Sequence, residues 1–210
     1  MDVELETRTT RKRRAIVEAA TEAFLREGYR GTSMDEIAAV AGVSKQTVYK
    51  QFTDKQRLFV EIVTGTVGQV ADPVHDEVRD LRETGDLEAD LRELARRQLT
   101  AVLQPRVLRL RRLVITEAAR FPELGRAFFE QGPGRTIDAL ADTFAHLGAR
   151  GLLDITDAHL AARQFNWLIM SAPVNRAMLL GEDRAPDPAD IQRWAGEGVR
   201  TFVAAYGHRR

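Results

Sequence analysis

Apolar residues recur at helical spacing along almost the whole chain of 210 residues, and runs of alternating β-branched and polar residues are absent. Gly- and Pro-containing segments interrupt this pattern and indicate where helices end. We therefore predict an all-α protein. The predicted helices cover residues 9–27, the segment between Ser33 and Gly42, residues 45–52, a fourth helix from Lys55 that Pro73 bends or ends, and residues 86–103, 105–120, 122–131, 134–150, 157–180 and 188–207.

The composition excludes several classes of function. The formal net charge is zero, so any contact with nucleic acid must come from a local basic patch. The absence of Cys excludes disulfides and thiolate chemistry, and it fits a reducing, cytoplasmic compartment. None of the four His residues lies in a metal-ligand or nucleophile pattern, so we expect no enzyme, no metal and no cofactor. The longest uncharged run in the second half is too short to cross a membrane.

The segment "GVSKQTVYKQF", residues 42–52, has the features of a tight turn followed by a short helix. Gly42 permits the turn, and Ser44 can cap the helix that follows, which predicts a helix-turn-helix. Val48 and Phe52 are spaced to pack inward. The opposite face then presents side chains that suit a DNA groove, although a merely solvated face would look similar: Lys45, Gln46, Thr47, Tyr49 and Lys50.

Basic charge is concentrated around this segment. Residues 7–57 carry 11 basic and 6 acidic side chains, a net charge of +5 within a neutral protein, and all four Lys residues of the chain lie in the first 55 positions. The run "RTTRKRR", residues 8–14, adjoins the first helix. We expect either a basic arm that follows DNA or a solubilising tail.

The segment "AFLREGYRGTSMDEIAAVAGVSKQTVYKQFTDKQRLF", residues 23–59, resembles the DNA-binding domain of the TetR family of bacterial transcriptional regulators. The departure is Gln51, where many members carry His. A looser likeness, over "RLVITEAARFPELGRAFFEQGPGRTIDALADTF", is to the C-terminal regulatory domain of an AefR-like branch. The family motif covers about a quarter of the chain.

The resemblance implies a three-helix helix-turn-helix bundle over residues 1–56 and a larger helical regulatory and dimerisation domain over residues 57–210. It implies that the third helix enters the major groove, that Tyr49 and Lys55 hold phosphates, and that the start of the second helix contacts the DNA backbone. The complete set of predicted DNA-binding residues is Thr32, Ser33, Ser44, Lys45, Gln46, Thr47, Tyr49, Lys50 and Lys55.

The last two predicted helices carry apolar rows that suit a homodimer interface, as the family resemblance implies. Two DNA-binding domains in one dimer also increase sequence specificity. An intramolecular core is the alternative for each of these positions. The predicted interface residues are Phe165, Leu168, Ile169, Trp194 and Phe202.

Aromatic and polar residues of the second domain are candidates for a small-molecule pocket, with ordinary core packing as the alternative for each aromatic. Glu117 is predicted to point inward, where it needs either a protein donor or a ligand. Asn166 lies one turn before Met170 in an apolar helix. The predicted ligand-binding residues are Glu117, Phe121, Phe128, Phe144, Asn166, Trp167 and Met170.

The sequence thus predicts a repressor that binds a palindromic, double-stranded DNA operator as a homodimer. A small, partly apolar effector would release it. The alternative is a ligand-independent architectural or protein-interaction module, which a closed second domain with Glu117 paired internally would favour.

Overall fold

The computed structural model describes residues 8–181 and 185–208. The described residues are helical almost throughout, and their β-structure is limited to an isolated antiparallel bridge between Leu153 and Gly207. The all-α prediction is confirmed. The α-helices are α1 (Arg8–Gly31), α2 (Met34–Val40), α3 (Lys45–Gln51), α4 (Lys55–Asp80), α5 (Leu87–Val102), α6 (Pro105–Ala118), α7 (Pro122–Phe129), α8 (Arg135–Ala149), α9 (Ala158–Leu180) and α10 (Pro188–Tyr206).

Side-chain caps set the starts of the first short helices, as the sequence predicts. Ser33 accepts a hydrogen bond from the Glu36 amide at 3.1 Å, and Ser44 accepts one from the Thr47 amide at 3.2 Å. Asp54 accepts one from the Arg57 amide at 2.8 Å at the start of α4. Each cap satisfies a backbone N–H that the first helical turn leaves without a partner.

One expectation about helix ends is corrected, and one of two alternatives for Pro73 is excluded. Residues 8–14 are the first turns of α1 and not an arm ahead of it, while residues 1–7 lie outside the described part of the chain. Pro73 does not end α4, which continues to Asp80. Pro73 and Gln69, whose carbonyl loses its helical partner, both lie on the exposed side of the helix.

The chain forms two compact units. The first comprises the described residues up to Thr66 together with Leu113–Ala127. Its core contains an aromatic cluster in which the rings of Tyr29 and Phe59 lie 5.1 Å apart and those of Tyr29 and Phe121 lie 4.9 Å apart. Phe24 completes the cluster at 4.8 Å from Phe59.

The second unit comprises Val67–Arg112 and the described residues from Phe128 onward. Phe144, Phe165 and Phe202 meet at its centre, with ring centres 5.0–5.5 Å apart. The Asp154 amide donates to the Tyr206 carbonyl at 2.8 Å, which ties the end of α10 to the segment after α8. These contacts give α8, α9 and α10 a common apolar core.

Candidate nucleic-acid interface and ligand cavity

The turn between α2 and α3 depends on Gly42, whose φ of 65° lies in the left-handed region. The Gly42 amide donates to Ala39 at 3.2 Å and the Val43 amide donates to Ala38 at 3.1 Å, so carbonyls at the end of α2 gain partners. A residue with a β-carbon would be strained in this conformation. The predicted helix-turn-helix is therefore present, with its turn at the expected glycine.

The orientation of α3 also matches the prediction. Val48 is fully buried and Phe52 is 3% exposed. Four of the predicted DNA-binding side chains of α3 project from the opposite side and are exposed, namely Lys45, Gln46, Tyr49 and Lys50. Thr47 is half-buried, and its hydroxyl lies 2.8 Å from that of the capping residue Ser44.

Lys45 forms a surface ion pair with Asp35 of α2, with 2.9 Å between nitrogen and oxygen. The hydrogen bond that the Lys45 ammonium donates to the Asp35 carboxylate, followed by the charge of that carboxylate, raises the pKa of Lys45. This ammonium also lies 6.0 Å from the centre of the Tyr49 ring. Because both ionic partners are largely exposed, the pair holds Lys45 weakly and can yield to a phosphate.

Three predicted DNA-binding residues lie beside the start of α2. Ser33 is exposed, whereas Thr32 is 2% exposed and its hydroxyl donates to the Gly28 carbonyl at 2.9 Å. The Lys55 ammonium donates to the carbonyls of Tyr29 and Thr32, both at 2.8 Å. Two of its three N–H donors are thus used within the protein, which leaves one for a phosphate.

The basic residues of α1 include one that is built into the bundle. The Arg13 guanidinium pairs with Glu61 at 2.5 Å and lies 4.5 Å from the centre of the Phe52 ring. Arg8 and Arg11 are exposed. The sequence could not separate these roles, because the partner of Arg13 lies 48 positions away.

The second unit contains a cleft that is partly open to solvent. Its walls are mostly apolar, and its polar groups are few. The lining residues are Val67, Val70, Ala71, Val74, Gln98, Val102, Val107, Arg111, Phe128, Gly132, Pro133, Thr136, Asn166, Trp167 and Met170. An apolar lining with a few polar groups is typical of a small-molecule site.

Two buried amides lie on one wall of the cleft. Gln98 Nε2 donates to Asn166 Oδ1 at 3.0 Å, and the two side chains come from α5 and α9. Gln98 Oε1 is buried without a hydrogen-bond partner. A ligand that carries a hydroxyl or N–H group could satisfy this acceptor.

Arg111 is the cationic residue of this lining. Its guanidinium lies 5.3 Å from the centre of the Phe128 ring, and burial lowers the pKa of the group. Arg111 was not among the predicted site residues. The signal was present, since Arg111 follows Val107 by four positions and precedes Val114 by three, and both valines are buried.

The structure separates the predicted ligand-binding residues into three groups. Phe128, Asn166, Trp167 and Met170 line the cleft. Phe144 does not, because it is fully buried in the core of the second unit, which corrects its assignment. Glu117, which is buried as predicted, and Phe121 belong to the first unit and do not line this cleft.

The assignment to a dimer interface is corrected for three residues. Phe165, Ile169 and Phe202 are at most 1% exposed, because they pack into the core of their own chain. Leu168 is 44% exposed and Trp194 is half-buried, so these two remain available to a partner. The structure therefore supports the alternative of an intramolecular core for the first three.

Residues 8–181 and 185–208 contain neither a metal-binding cluster nor a membrane-spanning helix. No group of His, Asp and Glu side chains in this part of the chain could hold a metal ion. None of its helices is long and apolar enough to cross a membrane.

Two family profiles match the chain. Residues 16–62 match the profile for bacterial regulatory proteins of the tetR family. Residues 89–208, more than half of the chain, match the profile for the C-terminal domain of AefR-like transcriptional repressors. The first match covers the helix-turn-helix, and the second covers most of the second unit, including α8, α9 and α10.

Solved structures resemble the whole chain. A TetR-family transcriptional regulator from Mesorhizobium loti is 44% identical, with a TM-score of 0.89 over 96% of this chain and all of the other. The flavonoid-responsive regulator FrrA is 30% identical, with a TM-score of 0.73 over 95% of this chain and 99% of the other. The likeness therefore extends over both units.

Curated relatives match mainly the N-terminal part. The regulator YhgD of Bacillus subtilis is 45% identical over 53 residues, which are 25% of this chain and 28% of YhgD. The activator FasR of Mycolicibacterium smegmatis is 35% identical over 68 residues, which are 32% of this chain and 31% of FasR. The chain thus aligns with less than a third of either relative. Together with the helix-turn-helix geometry and the two family matches, these findings show that the chain belongs to the TetR family of DNA-binding bacterial transcriptional regulators and is not an enzyme.

Proposed function

We propose that the chain is a homodimeric repressor that binds a palindromic operator and that a small, partly apolar molecule releases from DNA. The observation that carries this proposal is the exposed face of α3, where Lys45, Gln46, Tyr49 and Lys50 project from a helix anchored by Val48. Gln can pair with adenine, Lys with guanine or phosphate, and Tyr can donate to phosphate.

The cleft in the second unit supports ligand release. The rival proposal, a ligand-independent architectural module, is favoured by a second domain with a closed and fully packed interior. The cleft lined by Trp167, Phe128 and Met170 argues against such an interior. FrrA is described as responsive to flavonoids, and by analogy an aromatic effector would suit these side chains.

Release by a ligand requires coupling between the cleft and α3. The helix α4 is a continuous element for this purpose, since residues 55–66 belong to the first unit and residues 67–80 to the second. A coupling free energy of about 1–3 kcal/mol would change operator affinity roughly 5- to 150-fold.

The dimer would place two copies of α3 in successive major grooves, about 34–36 Å apart. Dimer formation is tested at Leu168, an exposed residue of α9 that was predicted to lie at the interface. Leu168→Glu should yield a monomer in sedimentation velocity, while Val40→Glu, at a site in α2 that is 61% exposed, should leave the dimer intact. A dimer that persists in Leu168→Glu would argue against this face as the interface.

The operator proposal is tested by selecting bound genomic fragments with the purified protein and titrating the enriched sequence at two salt concentrations. We expect a palindrome and a steep loss of affinity with salt. The variant Tyr49→Phe/Lys50→Ala should bind that operator more weakly. Salt-sensitive binding without an enriched motif would favour the architectural module instead.

A further inference from the structure

The cleft contains a cation whose charge the protein does not balance. Arg111 lines the cleft, its Nε is buried, and that atom has no hydrogen-bond partner. In the part of the chain that the structure describes, the Arg111 guanidinium lies against the Phe128 ring and pairs with no carboxylate. The lining of the cleft contains no Asp or Glu.

Arg111 is half-buried, and an unbalanced cation on an apolar wall is unfavourable because no counter-charge replaces the hydration that it loses there. Burial lowers the pKa of Arg111, and no acidic side chain offsets that effect. Arginine remains protonated even so, because its pKa is too high to be shifted into the neutral range. Its guanidinium offers a planar set of donors that match a carboxylate, phenolate or sulfonate.

The rest of the cleft suits an apolar body. Valines from three helices, Val70 on α4, Val102 on α5 and Val107 on α6, lie with the Phe128 and Met170 side chains around the space. Trp167 adds an aromatic surface and is 43% exposed. An occupant that carried charge throughout would be desolvated here without compensation, whereas one with a charge at a single end would not.

We infer that the cleft binds an amphipathic organic anion, with an aromatic or branched apolar body among the valines and the anionic group at Arg111. This inference rests on the proposed function only in treating the cleft as the effector site. Binding of the anion itself requires neither operator binding nor dimer formation. An anionic ligand would also distinguish this cleft from a cleft that binds neutral apolar effectors.

The test uses two fluorescent probes that differ by one group. The anion 8-anilinonaphthalene-1-sulfonate and the neutral N-phenyl-1-naphthylamine share the same aromatic body, and both are titrated into the protein without DNA. In Arg111→Met we expect affinity for the sulfonate to fall about tenfold or more, and affinity for the neutral probe to change by less than about threefold. Arg109→Met, at an exposed position one half-turn earlier on α6, should leave both affinities unchanged.

Several results would overturn the inference. One is an equal loss of affinity for both probes in Arg111→Met. Another is a loss of affinity for the sulfonate in Arg109→Met as large as that in Arg111→Met. The third is no binding of either probe to the unmodified protein. Arg111→Gln repeats the measurement with a smaller change of shape, and retained binding of the neutral probe shows that the cleft is intact. Because DNA is absent, a positive result stands even where the operator experiment fails, and a negative result leaves the operator experiment unaffected.

Discussion

The ammonium group of Lys55 lies 4.5 Å from the centre of the Tyr29 ring and donates a hydrogen bond to the Tyr29 carbonyl at 2.8 Å. The same group reaches the Thr32 carbonyl at 2.8 Å. Burial and then the charge of Arg120 lower the pKa of Lys55. One side chain thus joins the end of α1 to the start of α4 beside the predicted phosphate contacts.

Replacing Lys55 by Met should therefore have two effects. The two carbonyls lose a charged donor, so we expect the free energy of unfolding in urea to fall by about 1–2 kcal/mol. If the third N–H also holds a phosphate, the slope of log affinity for DNA against log salt should fall by about 0.9. Loss of stability with an unchanged slope would make the role of Lys55 purely structural.

The turn at Gly42 provides a second prediction. Nothing lies within 4 Å of the position that a β-carbon would occupy at Gly42, so the cost of Gly42→Ala comes from its φ of 65° alone. We expect the free energy of unfolding to fall by about 1–2 kcal/mol. Gly65→Ala, in the exposed interior of α4 and equally free of neighbours, should instead stabilise by about 0.5–1 kcal/mol. Equal effects at both sites would contradict this argument.

Lys50 tests the recognition face without disturbing the fold. Its side chain is exposed on α3, so Lys50→Gln should leave the unfolding midpoint unchanged and weaken operator binding. If Lys50 contacts a phosphate, the salt slope should fall by about 0.9. Arg200→Gln removes an exposed charge on α10 and should not change the slope. An unchanged slope in Lys50→Gln would indicate that Lys50 does not pair with a phosphate.

His75 on α4 predicts how stability depends on pH. Its Nε2 is buried without a partner, and burial followed by the charge of Arg135 lowers the pKa of the ring, although a hydrogen bond with the Arg135 backbone and the charges of Asp72 and Asp76 oppose this. The unfolded chain therefore binds a proton near pH 6.5 that the folded protein resists. The contribution of His75 to the free energy of unfolding is present above pH 6.5. It is lost as the pH falls towards the pKa of His75 in the folded protein, by at most about 1.4 kcal/mol per pH unit.

Urea unfolding between pH 7.5 and pH 5 checks this prediction. The loss of stability on acidification should be smaller in His75→Phe than in the unmodified protein. His159→Gln changes a histidine that is 61% exposed and serves as the control for removing an imidazole at the surface. Parallel curves for His75→Phe and the unmodified protein would contradict the proposed role of His75.

Local signals in the sequence were sufficient to predict the helix-turn-helix. A cap such as Ser44 and a turn glycine such as Gly42 act through atoms within a few residues, so the sequence alone locates them. The inward face of α3 follows from the i, i+4 spacing of Val48 and Phe52. These features were therefore predicted together with the side chains that α3 exposes.

The second unit was harder to predict because an apolar row does not reveal which neighbour covers it. Phe165 and Phe202 were predicted at an interface with a partner, and the chain buries both against Phe144. Glu117 points inward as predicted, but it does so in the first unit. Whether a buried residue lines a cleft or fills a core depends on contacts between distant segments, which periodicity does not encode.

The buried amide pair in the cleft yields a prediction about stability. Gln98 and Asn166 are 5% and 3% exposed, and they share a hydrogen bond of 3.0 Å between α5 and α9. Asn166→Leu should lower the free energy of unfolding by about 1–3 kcal/mol, because it leaves the Gln98 amide without its acceptor. Gln98→Leu should be destabilising for the same reason.

The double variant Gln98→Leu/Asn166→Leu separates the hydrogen bond from simple changes in packing. Replacing both partners removes the unsatisfied groups. The double variant should therefore lower the free energy of unfolding by about 0.5–3 kcal/mol less than the sum of the two single changes. Urea denaturation of the four proteins, without ligand, measures this coupling. Strict additivity would mean that the two amides do not depend on each other, and the wall of the cleft would then owe its form to apolar packing alone.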